Sequence, residues 1–269
     1  HTVRVEDSNG CPVDSIVSLN EPLPISRDTE SAADASCNGV ADGVASISVS
    51  GGNAPYTYTL NPDAVSNASG VFNSLPIGDY TISVDDINFC GPVSSGTLTV
   101  DEPLAIILDS LATTSILCSG ESTAEIHIYT SGGTGPFQYS IDDGATYSAA
   151  SNFTSLPPGT YHISALDQNL CPLLIDTVSF IDPPALSTVT ETVSGGAVCY
   201  GDLVGVIEYE VSGGTGTIEY YIDNGLSWQA SGLYSGMPGG DYTVIARDQN
   251  NCELPSSMLT INQPLEITA

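Results

Sequence analysis

Seven cysteines set the frame for this chain. They stand at 11, 37, 90, 118, 171, 199 and 252 of 269 residues. Two interleaved series run through them: Cys37, Cys118 and Cys199 are spaced by 81 residues, and so are Cys90, Cys171 and Cys252. A period this strict means a tandem array of one structural unit. Other landmarks keep it. Ser50-Gly51-Gly52 returns as Ser131-Gly132-Gly133 and Ser212-Gly213-Gly214. Leu75-Pro76-Ile77-Gly78-Asp79-Tyr80 returns as Leu156-Pro157-Pro158-Gly159-Thr160-Tyr161 and as Met237-Pro238-Gly239-Gly240-Asp241-Tyr242. His1 to Cys11 matches Tyr80 to Cys90, and Leu265-Glu266-Ile267 matches Leu104-Ala105-Ile106. The expected division is 1–22 (last strands of a preceding repeat), 23–103, 104–183, 184–264, and 265–269 (first strand of a following repeat). On this reading the chain is a window on a longer array whose export signal or anchor lies elsewhere.

Within one repeat the apolar residues alternate, as half-buried strands require. In the second repeat, Leu104, Ile106 and Leu108 suggest a first strand and Ala124, Ile126 and Ile128 a second. Phe137, Tyr139 and Ile141 follow, then short strands near Thr146–Tyr147 and over Phe153–Leu156. Tyr161, Ile163 and Ala165 mark the next, and Leu173 to Ile181 the last. Seven short strands in about 80 residues, with turns between them, predict an all-β fold: tandem immunoglobulin-like Greek-key sandwiches of about 81 residues, end to end. The Leu-Pro-x-Gly-x-Tyr run resembles a tyrosine corner, with glycine supplying a positive φ. Ser140-Ile141-Asp142-Asp143-Gly144-Ala145-Thr146-Tyr147 and Tyr221-Ile222-Asp223-Asn224-Gly225-Leu226-Ser227-Trp228 resemble the Asp-box hairpin, a structural motif. The first repeat departs from it at Asn61-Pro62-Asp63, and the period is broken from Asn61 to Ala68.

Composition removes several function classes. There are 3 basic and 32 acidic side chains and no lysine, a formal charge of −29. Nucleic acid and anionic membrane surfaces need clustered Lys and Arg, so neither is an expected partner. No apolar run reaches the ~18 residues of a membrane helix. Self-repulsion at this charge keeps an array extended and unbundled, and is mild in a salty habitat.

The ordered set Cys-x-Gly, Ser-Gly-Gly, a Pro-Tyr-x-Tyr strand (Pro55-Tyr56-Thr57-Tyr58), Leu-Pro-x-Gly-x-Tyr, Asp-x-Asn-x-Cys and a closing Pro resembles the SprB repeat. The resemblance covers the whole chain. It implies an exported, filamentous cell-surface protein of the kind gliding Bacteroidota carry, secreted by the type IX route, serving adhesion or gliding. It implies no catalytic residues.

Paired cysteines in an exported chain read as disulfides. Pairing within repeats would join Cys37 to Cys90, Cys118 to Cys171 and Cys199 to Cys252. Pairing across the nearest boundary would join Cys11 to Cys37, Cys90 to Cys118 and Cys171 to Cys199. A longer skip would join Cys37 to Cys171 and Cys118 to Cys252, with Cys11, Cys90 and Cys199 pairing outside the window. One cysteine of each repeat falls in an A–B loop and the other in an F–G loop, ~25 Å apart at opposite ends of a sandwich. A disulfide tolerates about 7 Å between Cα atoms, which favours the skip and leaves the intra-repeat pairing open.

The Asp-x-Asn-x-Cys turns raise a calcium reading, with Asp86, Asn88, Asp167, Asn169, Asp248 and Asn250 as ligands. The competing reading is a turn whose Asp and Asn satisfy local backbone, and it is the favoured one. His1, His127 and His162 lack zinc spacing and read as strand-surface residues. Asp85-Asp86 and Asp142-Asp143 are neighbours on strands and point to opposite faces, so they make no acid–base pair. The 131–135 loop has no following Lys or helix and is no phosphate cradle. Trp228, Tyr220 and Tyr221 are candidates for a sugar platform or for core and hairpin support, the latter favoured. Asn67 and Asn152 open glycosylation sequons. Ser15, Ser110 and Thr177 lie in Asp-Ser/Thr-aliphatic triplets that resemble an O-glycan signal of Bacteroidota.

The sequence therefore reads as a non-enzymatic stalk or filament segment of a large secreted adhesin, built to give reach and transmit force. Its partners would be further repeats of the same chain, and lateral self-association is open. The alternative is a glycan- or partner-binding module acting through the sandwich loops.

Overall fold

A computed structural model describes residues 1–222 and 227–267, and among them every regular element is a strand. The chain divides into two compact units. One comprises His1–Ile107 with Gly132–Pro136 and Asp167–Cys171; the other comprises Leu108–Ser131, Phe137–Leu166 and Pro172–Ala269.

In the first unit, β1 (Thr2–Glu6) and β2 (Pro12–Ile16) form a hairpin in which Arg4 meets Asp14 through two N–O contacts of 2.7 Å. A sandwich follows. One sheet has the order β3 (Ser26–Ala33), β4 (Gly43–Ser50), β7 (Val71–Leu75). The other has β5 (Thr57–Asn61) flanked by β6 (Val65–Asn67) and β8 (Gly78–Asp85), with β9 (Val93–Ser94) and β10 (Leu98–Val100) both along β8. In immunoglobulin lettering these are sheets ABE and C′CFG. The alternation in β4 and β8 turns Ala45, Ile47, Ile82 and Val84 inward, where they pack with Leu60, Phe72, Tyr80 and Val100 as one core. Strand β3 is exposed along its length, and as an edge it carries Arg27, Asp28 and Glu30 and a register shift between Arg27 and Thr29. Charges and bulges of this kind discourage edge-to-edge pairing.

The second unit repeats the plan twice. First come sheets β11 (Ile107–Thr114), β12 (Ala124–Ser131), β14 (Asn152–Leu156) and β13 (Gln138–Ser140), β15 (Gly159–Leu166), β16 (Pro172–Phe180). Ala124, Ile126, Ile128, Ile163 and Ala165 are its most deeply buried apolar side chains. Then come β17 (Ser187–Ser194), β18 (Gly205–Ser212), β20 (Leu233–Met237) and, opposite, β19 (Glu219–Ile222), β22 (Val244–Arg247), β23 (Glu253–Pro255), with β21 (Gly240–Tyr242) pairing β24 (Leu259–Ile261). Ile207, Tyr209, Val244, Ala246 and Ile261 close that core.

Three local expectations are corrected. The strand placed at Leu104–Leu108 runs instead over Ile107–Thr114, because the residues before it serve the adjoining loop: Leu104 is exposed and its carbonyl accepts the Gly133 N–H at 2.9 Å. No strand forms at Thr146–Tyr147. There the Asp box folds on itself, with Asp142 accepting from the Thr146 N–H (2.9 Å), the Thr146 hydroxyl (2.6 Å) and the Ser140 hydroxyl (2.7 Å). The first repeat, lacking that motif, makes the true β5–β6 hairpin. The centre of the third-repeat Asp box, 223–226, lies outside the described residues. Finally, the corner glycines Gly78 and Gly240 are near-extended, at φ 159° and 158°; the left-handed positions are Ser74, Ser155 and Gly236, two residues before each proline. The corner bonds themselves are made: Tyr80, Tyr161 and Tyr242 donate to the carbonyls of Pro76, Pro157 and Pro238 at 2.9, 2.8 and 3.0 Å.

Two outcomes follow for stability. Tyr80→Phe loses one corner hydrogen bond and should cost about 1 kcal/mol in urea unfolding, whereas Ile82→Ala, at a site with 0% exposure, should cost roughly 2–5 kcal/mol. The Thr146 and Ser140 hydroxyls hold the Asp142 carboxyl at about 2, below its ordinary 3.8. A lowered folded-state pKa gives stability that is present above the ordinary value and lost as pH falls from there through about 2. Asp142→Asn should therefore flatten the acid limb of Tm against pH between those values, with little change in its slope at neutral pH.

Candidate functional site: the clasp at each F–G turn

Each F–G turn opens with a buried aspartate, and its carboxylate is shared between two segments of backbone. Asp86 Oδ1 accepts the N–H groups of Asn88 and Cys90, both at 2.9 Å, and Oδ2 accepts the Asn53 N–H at 3.1 Å. Asp167 does the same with Asn169 and Cys171 (2.9 Å each) and with Thr134 (2.9 Å). Asp248 repeats it with Asn250 and Cys252 (2.9 Å each) and Thr215 (2.8 Å). Asp7 holds Asn9 and Cys11 in the β1–β2 hairpin through the same pair of 2.9 Å bonds. One oxygen shapes the turn and aims its cysteine; the other pins the Ser-Gly-Gly loop. The Cys90 amide, ahead of those of Asn53 and Asn88, keeps the Asp86 carboxyl below its ordinary range.

The Ser-Gly-Gly loop is small and left-handed because the chain entering the repeat passes against it. A Cβ on Gly132 would stand 1.9 Å from the Ala105 carbonyl oxygen, and one on Gly213 would stand 2.0 Å from that of Ala185. Gly132 and Gly213 also sit at φ 73° and 87°, so any side chain is excluded twice.

The A–B loop is tied to the chain that leaves the repeat. Glu102 accepts the Gly39 N–H at 2.6 Å and the Asn38 amide at 2.9 Å, and Asp182 accepts the Gly120 N–H at 2.8 Å. Gln263 stands in the same relation to Gly201 at 3.4 Å. These linker acids were not singled out from the sequence. Their signal is an acid or amide before the proline that closes each repeat.

The structure then joins A–B loop to F–G turn across repeats. Cys37 is bonded to Cys171 and Cys118 to Cys252, each with 5.6 Å between Cα atoms and a sequence separation of 134. Beside each bridge, the asparagine of the turn donates to the carbonyl preceding the A–B cysteine: Asn169 to Ser36 at 2.9 Å, and Asn250 to Leu117 at 3.0 Å. Asp-x-Asn-x-Cys thus has three separate jobs: the Asp builds the turn, the Asn reaches the neighbouring repeat, and the Cys bonds to it. Cys11, Cys90 and Cys199 are exposed and unbonded.

The same geometry bears on the calcium reading. The carboxylates of Asp86, Asp167 and Asp248 are committed to backbone N–H groups, and the Asn169 and Asn250 amides to carbonyls. Among the described residues no group of three His, Cys, Asp or Glu is placed to hold a metal ion. His127 meets Glu125 at 3.1 Å, and His162 meets the Thr177 hydroxyl at 3.0 Å. The aromatic trio is divided: Tyr220 is a core ring, while Trp228 has the Arg247 guanidinium 3.7 Å from its ring centroid and the Tyr221 ring edge-on at 4.3 Å. Of the modification candidates, Ser15, Ser110, Thr177 and Asn152 are exposed on strands, and Asn67 caps its own turn by accepting the Ser69 and Gly70 N–H groups.

Asp167→Ala would strip three N–H groups of their acceptor. It should lower stability by roughly 2–4 kcal/mol and slow re-formation of the Cys37–Cys171 bond after reduction, read by chemical denaturation and by thiol titration.

Comparison with known proteins agrees with the repeat reading. Among curated proteins none matches this chain. Among solved structures, it is similar to three N-terminal domains of the outer capsid protein Hoc of bacteriophage RB49, at 14% identity and TM-score 0.40, covering 90% of this chain and 100% of that one. It is similar to Sidekick-1 immunoglobulin domains 1–5 at 15% identity and TM-score 0.36, covering 98% of this chain and 66% of that one. For the S-layer protein rSbsC(31-844) the values are 14% and 0.25, covering 94% and 44%. The SprB repeat family model matches residues 29–65 and 110–146. Those windows are one period apart (110 − 29 = 81), each starting in the A strand and reaching past the A–B cysteine, so the two stretches resemble SprB repeats at the spacing of the cysteines.

Proposed function

We propose that the chain is a non-enzymatic stalk segment of a secreted cell-surface adhesin, serving adhesion or gliding and exported by the type IX route. The observation that carries this reading is the pair of disulfides between different repeats. A bridge within a repeat would stabilise one bead; a bridge between the A–B loop of one repeat and the F–G turn of another ties repeat to repeat, which is what a part that transmits force requires. By loop-closure entropy, each bridge over 134 residues of sequence is worth at most about 5 kcal/mol. Disulfides also need an oxidising compartment, consistent with a cell-surface location.

The partners on this reading are further repeats. The A–B loop around Cys199 has the same make-up as the two engaged ones, and it presents Val198 and Tyr200, which are 83% and 53% exposed. An Asp-x-Asn-x-Cys turn of another repeat is its fitting occupant. Repulsion along a chain of charge −29 opposes bundling, so single filaments are favoured over lateral sheets at low salt.

Small-angle scattering on chains of three, four and five repeats tests the proposal. A stalk gives equal increments of maximum dimension per repeat, and reductant broadens the distance distribution. Unequal increments, or no response to reductant, would contradict it. Saturable binding of the three-repeat chain on a glycan array would move the function to the adhesive alternative.

A further inference from the structure

We infer that the two disulfides give the array a second function: they keep it in one piece when its backbone is cut. The bonds interlace, since Cys118 lies inside the loop closed by Cys37 and Cys171, and Cys171 lies inside the loop closed by Cys118 and Cys252. Joining Cys37 to Cys171 makes one covalent node, and joining Cys118 to Cys252 makes another. Three stretches of backbone then run between the same two nodes: 38–117, 119–170 and 172–251. They are parallel tethers, not segments in series.

The consequence follows from connectivity alone. A single cut anywhere in the three stretches leaves two intact connections between the nodes, and one cut in each of two stretches leaves one. Only a cut in all three separates the ends. Pairing within repeats would behave differently, because every linker between repeats would then be a single point of failure. The tethers also limit extension. The shortest spans 53 residue steps from Cys118 to Cys171 (171 − 118 = 53), which at ~3.4 Å per step reaches about 180 Å. Without the bridges, Cys37 and Cys252 are separated by 215 residues (252 − 37 = 215) and about 730 Å of extended chain.

The sequence guards the same continuity in a second way. Lysine is absent, and the three arginines are each paired: Arg4 with Asp14, Arg27 with Glu30, and Arg247 with Glu219 at 2.7, 3.3 and 2.9 Å. Proteases that require a basic side chain meet few and engaged targets. The interlaced bridges cover cuts by proteases of other specificity at exposed turns.

The test is a tether held by its two ends in optical tweezers, with a site for one specific protease inserted after Asp63, after Ala149 or after Leu203, all exposed positions, one in each stretch. With protease added, tethers carrying one or two sites should survive under load, and those carrying all three should part. In reductant, one cut should be enough. A one-site tether that parts without reductant overturns the inference, and so does one that survives cutting in reductant, because non-covalent contacts would then be holding it. Should the insertions prevent folding, the unaltered chain serves: cleaved after Arg247 in denaturant, it should keep its C-terminal piece through Cys118–Cys252 until reduced. Release of that piece before reduction also overturns the inference. The stalk reading would survive either failure, since its scattering test does not depend on cutting.

Discussion

The buried carboxylate at the head of each F–G turn is the interaction on which the rest depends. A carboxylate taken out of water is costly unless its lone pairs are used, and here backbone N–H groups use them. Because those groups come from two segments, one side chain fixes the turn that presents the cysteine and the loop that packs on the incoming linker. Remove it and both lose their shape together. The glycines of the Ser-Gly-Gly loop, the asparagine of the turn and the cysteine have meaning only once that carboxylate has set where they stand.

From there the junction is assembled from short-range parts. Linker acids such as Glu102 and Asp182 hold the A–B loop by its glycine N–H, so the loop that carries Cys37 or Cys118 is fixed to the chain that leads onward. Both halves of each bridge are thus held in place by hydrogen bonds. The sandwiches supply rigid platforms, and their exposed A strands are kept from pairing with other edges by charge and by bulges. The acidic groups that build the joints are part of the chain's net charge of −29.

Much of this was legible in the sequence, for identifiable reasons. The period was readable because each repeat must place the same few residues at the same joint. Alternation was readable because the inner faces of β4, β8, β12 and β18 are buried at every second residue. Other features were hidden by physics that a one-dimensional pattern does not carry. Leu104 alternates with Ile106 and Leu108 as a strand would, yet its carbonyl is needed by Gly133, and the strand starts later. Thr146 and Tyr147 have good β propensity, but the Asp142 side chain takes the Thr146 N–H and hydroxyl, so the segment closes on its own turn and not on a neighbouring strand. The corner glycine was credited with a positive φ that belongs to Ser74 and Ser155. The aspartates of Asp-x-Asn-x-Cys admitted two readings, ligand or turn, because the acceptor capacity that binds a cation is the same capacity that binds three N–H groups.

The central claim is that neighbouring repeats are covalently clasped through A–B loop and F–G turn. Non-reducing peptide mapping by mass spectrometry tests it most directly. An acid-directed protease is required, since trypsin can cut only after Arg4, Arg27 and Arg247. Linked peptides containing Cys37 with Cys171 and Cys118 with Cys252 are the expected result. Peptides linking Cys37 to Cys90 and Cys118 to Cys171 would contradict the clasp and leave a string of independent beads.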